Sequence, residues 1–353
     1  MLNETSQLLS DSAERIFSDH VSKECIVNSE KGVWPKELWD EIVNNGLNLV
    51  LVPEELGGVG GSWFDAGILF KAIGRYQAPI PLAENIIAGH LLGLGGIPLP
   101  ENSIVTILDG DLSISDNKCS GVSERTPFGS SATHGVAVVV GKNSSKVILL
   151  SIPRNSISDD KNLALESRAN INFSDADIIS SSEIDISSDY ILKIGALMRS
   201  CQIAGGLEFL LDQSVQYAND RVQFGRPIAK FQAIQQELAV LATHVAASGV
   251  AADYASSSMD NGCEDLAIAS AKSRVDDAVS ICASIAHQVH GAIGFTYEHG
   301  LHFSTRRLWS WRAEYGAGSY WAKSLGEKAV ASGADKFWPV SYTHLTLPTI
   351  YSV

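Results

Sequence analysis

The chain has no paired cysteines. Its five, Cys25, Cys119, Cys201, Cys263 and Cys282, are dispersed over 353 residues, with no CxxC pair and no histidine at zinc-ligand spacing from them. This excludes a disulfide framework and reads as reduced, buried thiols in a cytoplasmic protein. Basic charge is also scarce: 26 Lys and Arg stand against 40 Asp and Glu, a net charge of −14. A phosphate backbone or an anionic bilayer is held by clustered cations, so neither nucleic acid nor a membrane is expected as a partner. A local basic pocket for one anionic cofactor stays open. The opening "MLNETSQLLSDSAERIF" has no basic segment followed by an apolar one, and no signal peptide is expected. The stretch "IIAGHLLGLGGIPLP" is broken by Gly and Pro and is too short to span a bilayer. Internal repeats and low-complexity segments are lacking too. What remains is 45% hydrophobic and 19% charged, a composition that buries a real core.

Three zones follow one another. Residues 1–98 read as a helical domain. Pro35 opens one helix there and Gly46 lies just past its end, Ser62 is a plausible N-cap for a second running to about Tyr76, and a third follows Pro81. The segment "PEELGGVGGSWFD" between them is a glycine-rich turn. Residues 99–187 carry short β-rich runs such as "SIVTILDG", "GVAVVVG" and "SKVILLSIP", which suit a small antiparallel sheet or barrel. Residues 188–335 return to helical spacing. Phe231, Ile234, Leu238, Leu241 and Val245 form one stripe, and Val275, Val279, Cys282, Ile285 and Val289 another, as in an antiparallel bundle. The fold class is therefore α+β, with a β-domain between two helical ones. Residues 341–353, "SYTHLTLPTIYSV", fit neither helical nor domain logic and are set apart as an appended, non-native tail.

Two constellations could carry chemistry. In "NDRVQFGRPIAKFQ", Arg221 closes a long helical pattern, Gly225 and Pro227 break the chain, and Pro227 suits the first turn of the next helix. A guanidinium at such a corner can grip a pyrophosphate by paired hydrogen bonds, Phe224 offers a flat face, and Gln232, one turn into the next helix, can donate and accept. The plainer alternative pairs Arg221 with Asp220 and uses Phe224 as a plug. In "QVHGAIGFTYEHGLHFSTRR", Gly291 and Gly294 either cap a helix or let a ligand approach the backbone. His287, His290, His299 and His302 crowd the same stretch. Without nearby cysteines or paired carboxylates in helical register, no metal site is expected.

Taken together, "YANDRVQFGRPIAKFQAIQQELA" and "QVHGAIGFTYEHGLHFSTRR" resemble the two C-terminal signatures of flavin-dependent acyl-CoA dehydrogenases, and "VPEELGGVGG" resembles that family's N-terminal turn. The resemblance runs over about residues 30–333. It implies an N-terminal helical domain, a middle β-domain and a C-terminal four-helix bundle, with FAD bound between subunits of a dimer or tetramer. By that resemblance Arg221 would meet the FAD diphosphate, with Phe224 and Gln232 near it, while Gln288 and the backbone at Gly291 and Ala292 would contact the adenosine portion. The implied reaction is α,β-desaturation of an acyl-CoA thioester: a carboxylate takes the α proton as a hydride leaves the β carbon for the flavin. An electron-transferring flavoprotein is the implied acceptor.

The resemblance has gaps. The family's usual tyrosine–glutamate–glycine–threonine base motif corresponds to "WSWRAEYGAGSYW", where Tyr315 stands in the place of the base and Glu314 one position early. One step on a helix turns a side chain by about 100°. The family's alternative base position falls near Gly195, with no carboxylate beside it. The Trp–Ile–Thr strand and the acidic flavin loop of the middle domain are not evident. The pattern resembles the less catalytic chain of heteromeric bacterial acyl-CoA dehydrogenases of lipid or steroid side-chain breakdown. Two readings follow: a dehydrogenase subunit with Glu314 as its base, or a non-catalytic partner that completes another subunit's FAD site. A flavin monooxygenase or an acyl-CoA oxidase on the same scaffold is a third.

Overall fold

The computed structural model describes residues 4–141, 144–262 and 264–333; the tail set apart at 341–353 lies outside them. Five helices come first: α1 (Glu4–His20), α2 (Lys23–Glu30), α3 (Lys36–Asn44), α4 (Trp63–Tyr76) and α5 (Leu82–Leu94). The local signals act as expected. Pro35 precedes α3, and Gly46 beyond its end has φ +68°. Ser62 caps α4 through a full capping box: its Oγ accepts from the Asp65 N–H at 3.1 Å, and its own N–H donates to Asp65 Oδ2 at 2.9 Å. The glycine-rich turn between α3 and α4 folds back so closely that a Cβ on Gly58 would sit 2.0 Å from the Val52 carbonyl oxygen.

The middle zone forms β1 (Val105–Ile107), β2 (Gly110–Ser115), β3 (Lys118–Pro127), β4 (His134–Val140), β5 (Ser145–Ser151), β6 (Ile157–Ser158) and β7 (Arg168–Ile184). They make one seven-stranded sheet in the order β1-β4-β5-β7-β3-β2, with β6 also on β7. The expected all-antiparallel pattern needs one correction, because β1 and β4 pair in parallel. The β2–β3 hairpin intervenes, and the chain returns beside β1 in the same direction. The 17-residue β7 pairs with β3 along one half and β5 along the other, and register shifts in both ladders curl the sheet.

The third zone holds α6 (Tyr190–Asp220), the two-residue strands β8 (Val222–Gln223) and β9 (Arg226–Pro227), then α7 (Gln232–Asp260), α8 (Glu264–His290), α9 (Leu301–Trp311) and α10 (Gly318–Ser332). Helices α6, α7, α8 and α10 form the bundle. Of the first stripe, Leu241 and Val245 are buried while Ile234 and Leu238 pack at the core's margin; the second stripe is buried throughout. Helices α7 and α8 also contain windows of mean hydropathy 1.3 and 1.2, so the broken stretch near Leu94 is not the most membrane-like segment.

The N-terminal helices join the bundle at a backbone-to-backbone crossing of α4 with α6. A Cβ on Gly74 would lie 1.9 Å from the Gln202 carbonyl oxygen, and one on Gly205 would lie 1.9 Å from that of Lys71. Neither helix can yield without losing its own ladder. Gly205→Ala is therefore expected to cost about 2–3 kcal/mol, read as a lower urea midpoint at unchanged slope. Gly326→Ala on α10, whose added Cβ meets nothing within 4 Å, should be neutral or slightly stabilising.

Candidate functional site

The turn after α9 brings Glu314 and Tyr315 to the junction of all three zones. From α8, the buried Lys272 donates to the Arg312 carbonyl oxygen at 2.7 Å, and Asp276 accepts two bonds from the Arg312 guanidinium at 2.9 and 2.8 Å. With its backbone so fixed, the turn runs through φ +54° at Tyr315 and +86° at Gly316.

Glu314 is fully engaged. Its Oε1 accepts from Arg168 Nε at 3.0 Å and Nη2 at 2.8 Å, and its Oε2 accepts from Arg199 Nε at 2.7 Å. The network extends from there. Arg199 Nη2 reaches Glu84 of α5 at 2.9 Å, Arg168 Nη2 reaches Glu166 at 3.1 Å, and Trp311 Nε1 donates to Glu166 at 3.1 Å. Arg307 Nε lies 3.2 Å from Glu166 as an ion pair without hydrogen-bond alignment. Arg168, Arg199 and Arg307 are all but inaccessible to solvent. Burial by itself would raise the Glu314 carboxyl, but the Arg168 and Arg199 charges and their hydrogen bonds outweigh it and hold it at about 2. Such a group is not poised to take a proton near neutrality, which weighs against the expectation of Glu314 as the base.

Tyr315 occupies the place where a base was sought. Burial pushes its phenol well above the usual range. Its ring lies flush on Gly195 of α6, where an added Cβ would be 2.2 Å from Cδ1. The two sequence positions examined for a carboxylate thus meet at one point, filled by a phenol on bare backbone. A cavity of about 480 Å³ opens there between the sheet and α6, lined by Ile191, Leu192, Tyr315, Arg168 and Glu314 together with exposed Asp109 and Glu124.

The Arg221 corner is a β-hairpin. Val222 pairs with Pro227 and Gln223 with Arg226, leaving Phe224 (φ +52°) and Gly225 (φ +78°) as a two-residue turn with both dihedrals positive. This corrects the helical placement of Pro227; Gln232 is the first residue of α7, not one turn inside it. Arg221 is exposed and makes no ion pair among the described residues; Asp220 accepts instead from Gln216 at 2.8 Å. Phe224 is 94% exposed, so it plugs nothing. Its ring meets only the edge of Phe231, over which the Arg226 guanidinium sits at 4.4 Å.

Gln288, Gly291 and Ala292 are exposed at the end of α8, and Gly291 (φ +63°) has open space around it. Gln288 and Gly291 border a cavity of about 420 Å³ with His287, Phe295 and Trp309. The histidines serve ring packing: His287 stacks on Phe295 at 4.2 Å and His290 on Tyr217 at 4.5 Å. The latter contact, one turn before Arg221, brings both signatures to one end of the bundle. Sequence reading missed Arg168, Arg199, Glu84, Glu166 and Lys272. The signal for Arg199 was available, a lone charge inside the apolar run "IGALMRSCQIAGG".

Comparison with known proteins agrees with this architecture. Residues 3–101 match the acyl-CoA dehydrogenase N-terminal domain and residues 188–318 its C-terminal domain. Acyl-CoA dehydrogenase IpdE2 of Mycobacterium tuberculosis is 27% identical over 319 residues, covering 86% of this chain and 91% of that protein. The ChsE4-ChsE5 complex from Mycobacterium tuberculosis contains a chain 20% identical, with a TM-score of 0.84 over 95% of this chain and 99% of that one. The Tcur3481-Tcur3483 steroid dehydrogenase variant gives a TM-score of 0.82 at 21% identity, over 94% and 99%. By its two matched domains and its order of helical, β and helical zones, this chain belongs to the acyl-CoA dehydrogenase family.

Proposed function

We propose that this chain is the non-catalytic subunit of a heteromeric, FAD-dependent acyl-CoA dehydrogenase, one that completes the cofactor site of a catalytic partner chain. The observation that carries this reading is the contact of Tyr315 with Gly195: the two positions at which the family resemblance would set a base hold a phenol and a glycine, and Glu314 beside them is bound by Arg168 and Arg199. Asp109 and Glu124, at the exposed side of the nearby cavity, lack the burial that poises a base. The reading also rests on the similarity to the ChsE4-ChsE5 complex and to Tcur3481-Tcur3483.

The residues at the bundle end fit the cofactor's edge. FAD supplies the hydride acceptor when bound. Arg221, which makes no ion pair among the described residues, would hold its diphosphate, Phe224 would cover an apolar face, and Gln232 would add a polar contact from the start of α7. Gln288 and the open backbone at Gly291 and Ala292 would line the adenosine side. The substrate of the assembly is an acyl-CoA thioester, and electrons leave to an electron-transferring flavoprotein.

Flavin absorbance at 450 nm tests this. The purified chain alone should carry no flavin and dehydrogenate no acyl-CoA, and co-expression with its catalytic partner should bring flavin and activity together. Stoichiometric flavin and turnover in the chain alone would overturn the reading. Within the complex, Arg221→Ala should weaken flavin retention about tenfold or more, the worth of a charge-assisted contact, without changing the complex's mass.

Glu314 gives a second test. Glu314→Gln leaves two buried guanidiniums short of a counter-charge and should cost about 3 kcal/mol in urea unfolding at pH 7. Because its folded value of about 2 lies below the ordinary 4.5, the wild-type contribution is present above pH 4.5 and lost as the pH falls towards 2. The variant should lose less stability over that window. A catalytic base would behave differently, with activity abolished at unchanged stability.

A further inference from the structure

The stretch "QVHGAIGFTYEHGLHF" sets histidines at 290 and 299, one ending α8 and the other just before α9. The segment between them is closed on itself and thinly held to the rest. The N–H of Thr296 donates to the Ile293 carbonyl oxygen at 3.0 Å and that of His299 to the Thr296 carbonyl oxygen at 3.3 Å, both inside the segment. Phe295 and Tyr297 are 70% and 71% exposed. Besides the stack of Phe295 on His287, rings fasten the segment to the bundle. Tyr217 of α6 stacks on His290 at 4.5 Å, and His299 packs edge-on against both, 4.7 Å from His290 and 6.0 Å from Tyr217. Lys23 of α2 adds one bond, to the Glu298 carbonyl oxygen at 3.0 Å.

The hydrogen bonds fix where each ring carries its proton. A carbonyl oxygen only accepts, so His290 donates from Nδ1 to Ala286 at 2.7 Å, and its Nε2 is buried with no hydrogen-bond partner. A backbone N–H only donates, so His299 Nδ1 is bare and accepts from Leu301, the first residue of α9, at 3.3 Å. Both rings are therefore neutral, and a second proton fits neither. On His290 it would be a buried donor without an acceptor. On His299 it would take the lone pair that holds the Leu301 N–H. The surrounding charges are unfavourable as well. Lys23 acts on His299 and, with Arg306 of α9, on His302; His299 and His287 act on His290; and Glu30 of α2 is taken up by Arg306 at 2.5 Å. The Ala286 carbonyl at the end of α8 favours a cation at His290, but burial and the two neighbouring histidines outweigh it and hold the ring below the ordinary histidine range. Burial, then Lys23, lower His299 in the same direction.

We propose that the Tyr217–His290–His299 cluster is a proton-operated latch, which holds residues 291–300 on the bundle at neutral pH and lets them lift away in mild acid. Once lifted, both rings reach water and take up protons freely. The lowered values set the sign. Above the ordinary histidine value of 6.5 the latch carries no penalty, and it loses ground as the pH falls through 6.5, because the opened state binds the protons that the closed state refuses. The latch stands on ring contacts within the chain and does not depend on any ligand at Gln288, Gly291 or Ala292.

Hydrogen exchange of the full chain at about pH 7.5 and about pH 5, each referenced to an unstructured peptide of the same sequence, tests the latch. Protection across residues 294–303 should fall about tenfold or more in acid, with α4 unchanged. His290→Phe keeps a ring on Tyr217 without a titrating nitrogen, and His299→Asn keeps an acceptor near the place of Nδ1. The double variant should match the wild type at the higher pH and lose the drop; His299→Asn alone should lose part of it. Equal protection of the wild type at both pH values overturns the latch, as does an undiminished drop in the double variant. An equal loss in α4 assigns the change to general acid unfolding and overturns it too. If the double variant is unprotected at the higher pH, His299→Asn alone decides, and an undiminished drop there overturns the latch.

Discussion

The two-sided grip of Arg168 and Arg199 on Glu314 is the constraint on which the rest of the structure depends. Arg168 stands at the start of β7, Arg199 lies within α6, and Glu314 follows α9; Glu84 of α5 then ties Arg199 to the N-terminal helices. Three zones of different secondary structure already share one apolar core, from Phe17 and Leu69 through Val105 and Leu149 to Leu197 and Ile268, and the buried charges add a second, directional tie beside it. Buried charges are costly to desolvate, and well-packed apolar side chains would often serve stability as well. What the charges add is geometry: each guanidinium accepts only one orientation of its carboxylate, so sheet, α6 and terminal turn are locked in mutual register.

The same lock defines the chemistry available at the junction. A carboxylate that grips two arginines is held ionised well below the ordinary carboxylate range. The phenol beside it sits against a glycine that leaves no gap. Lys272, pushed down to about 8 by burial, and Arg312, held by Asp276, stiffen the turn from the α8 side. At this junction the charged groups fasten β7, α6 and the turn after α9 to one another. The exposed groups of the two C-terminal signatures lie instead at the bundle end, around Arg221 and Phe224.

Much of this was legible in the sequence. The Pro35, Gly46 and Ser62 signals act locally, within a few residues, and set helix limits almost to the residue. The bundle stripes were readable because helical periodicity reports which face is covered. The parallel β1–β4 pair was not, since strand direction depends on where a distant hairpin returns. The Phe224–Gly225 turn was missed because a phenylalanine at positive φ contradicts local preference, and only the short β8–β9 ladder and the end of α6 hold it there. The adjacency of Glu314 and Tyr315 was plain, but the partners that decide their chemistry come from positions 84, 166, 168, 195 and 199, and no spacing rule reaches so far.

The Phe224 turn has a kinetic consequence. A large ring is displayed almost wholly exposed on a strained two-residue loop whose backbone is already set. When a flat surface meets it, the entropy lost is that of one exposed side chain and not of a whole loop, because the β8–β9 ladder holds the backbone beneath it. Association at this corner is then limited by how often the two bodies meet in the right orientation. The strain is stored when the chain folds, long before any partner is present.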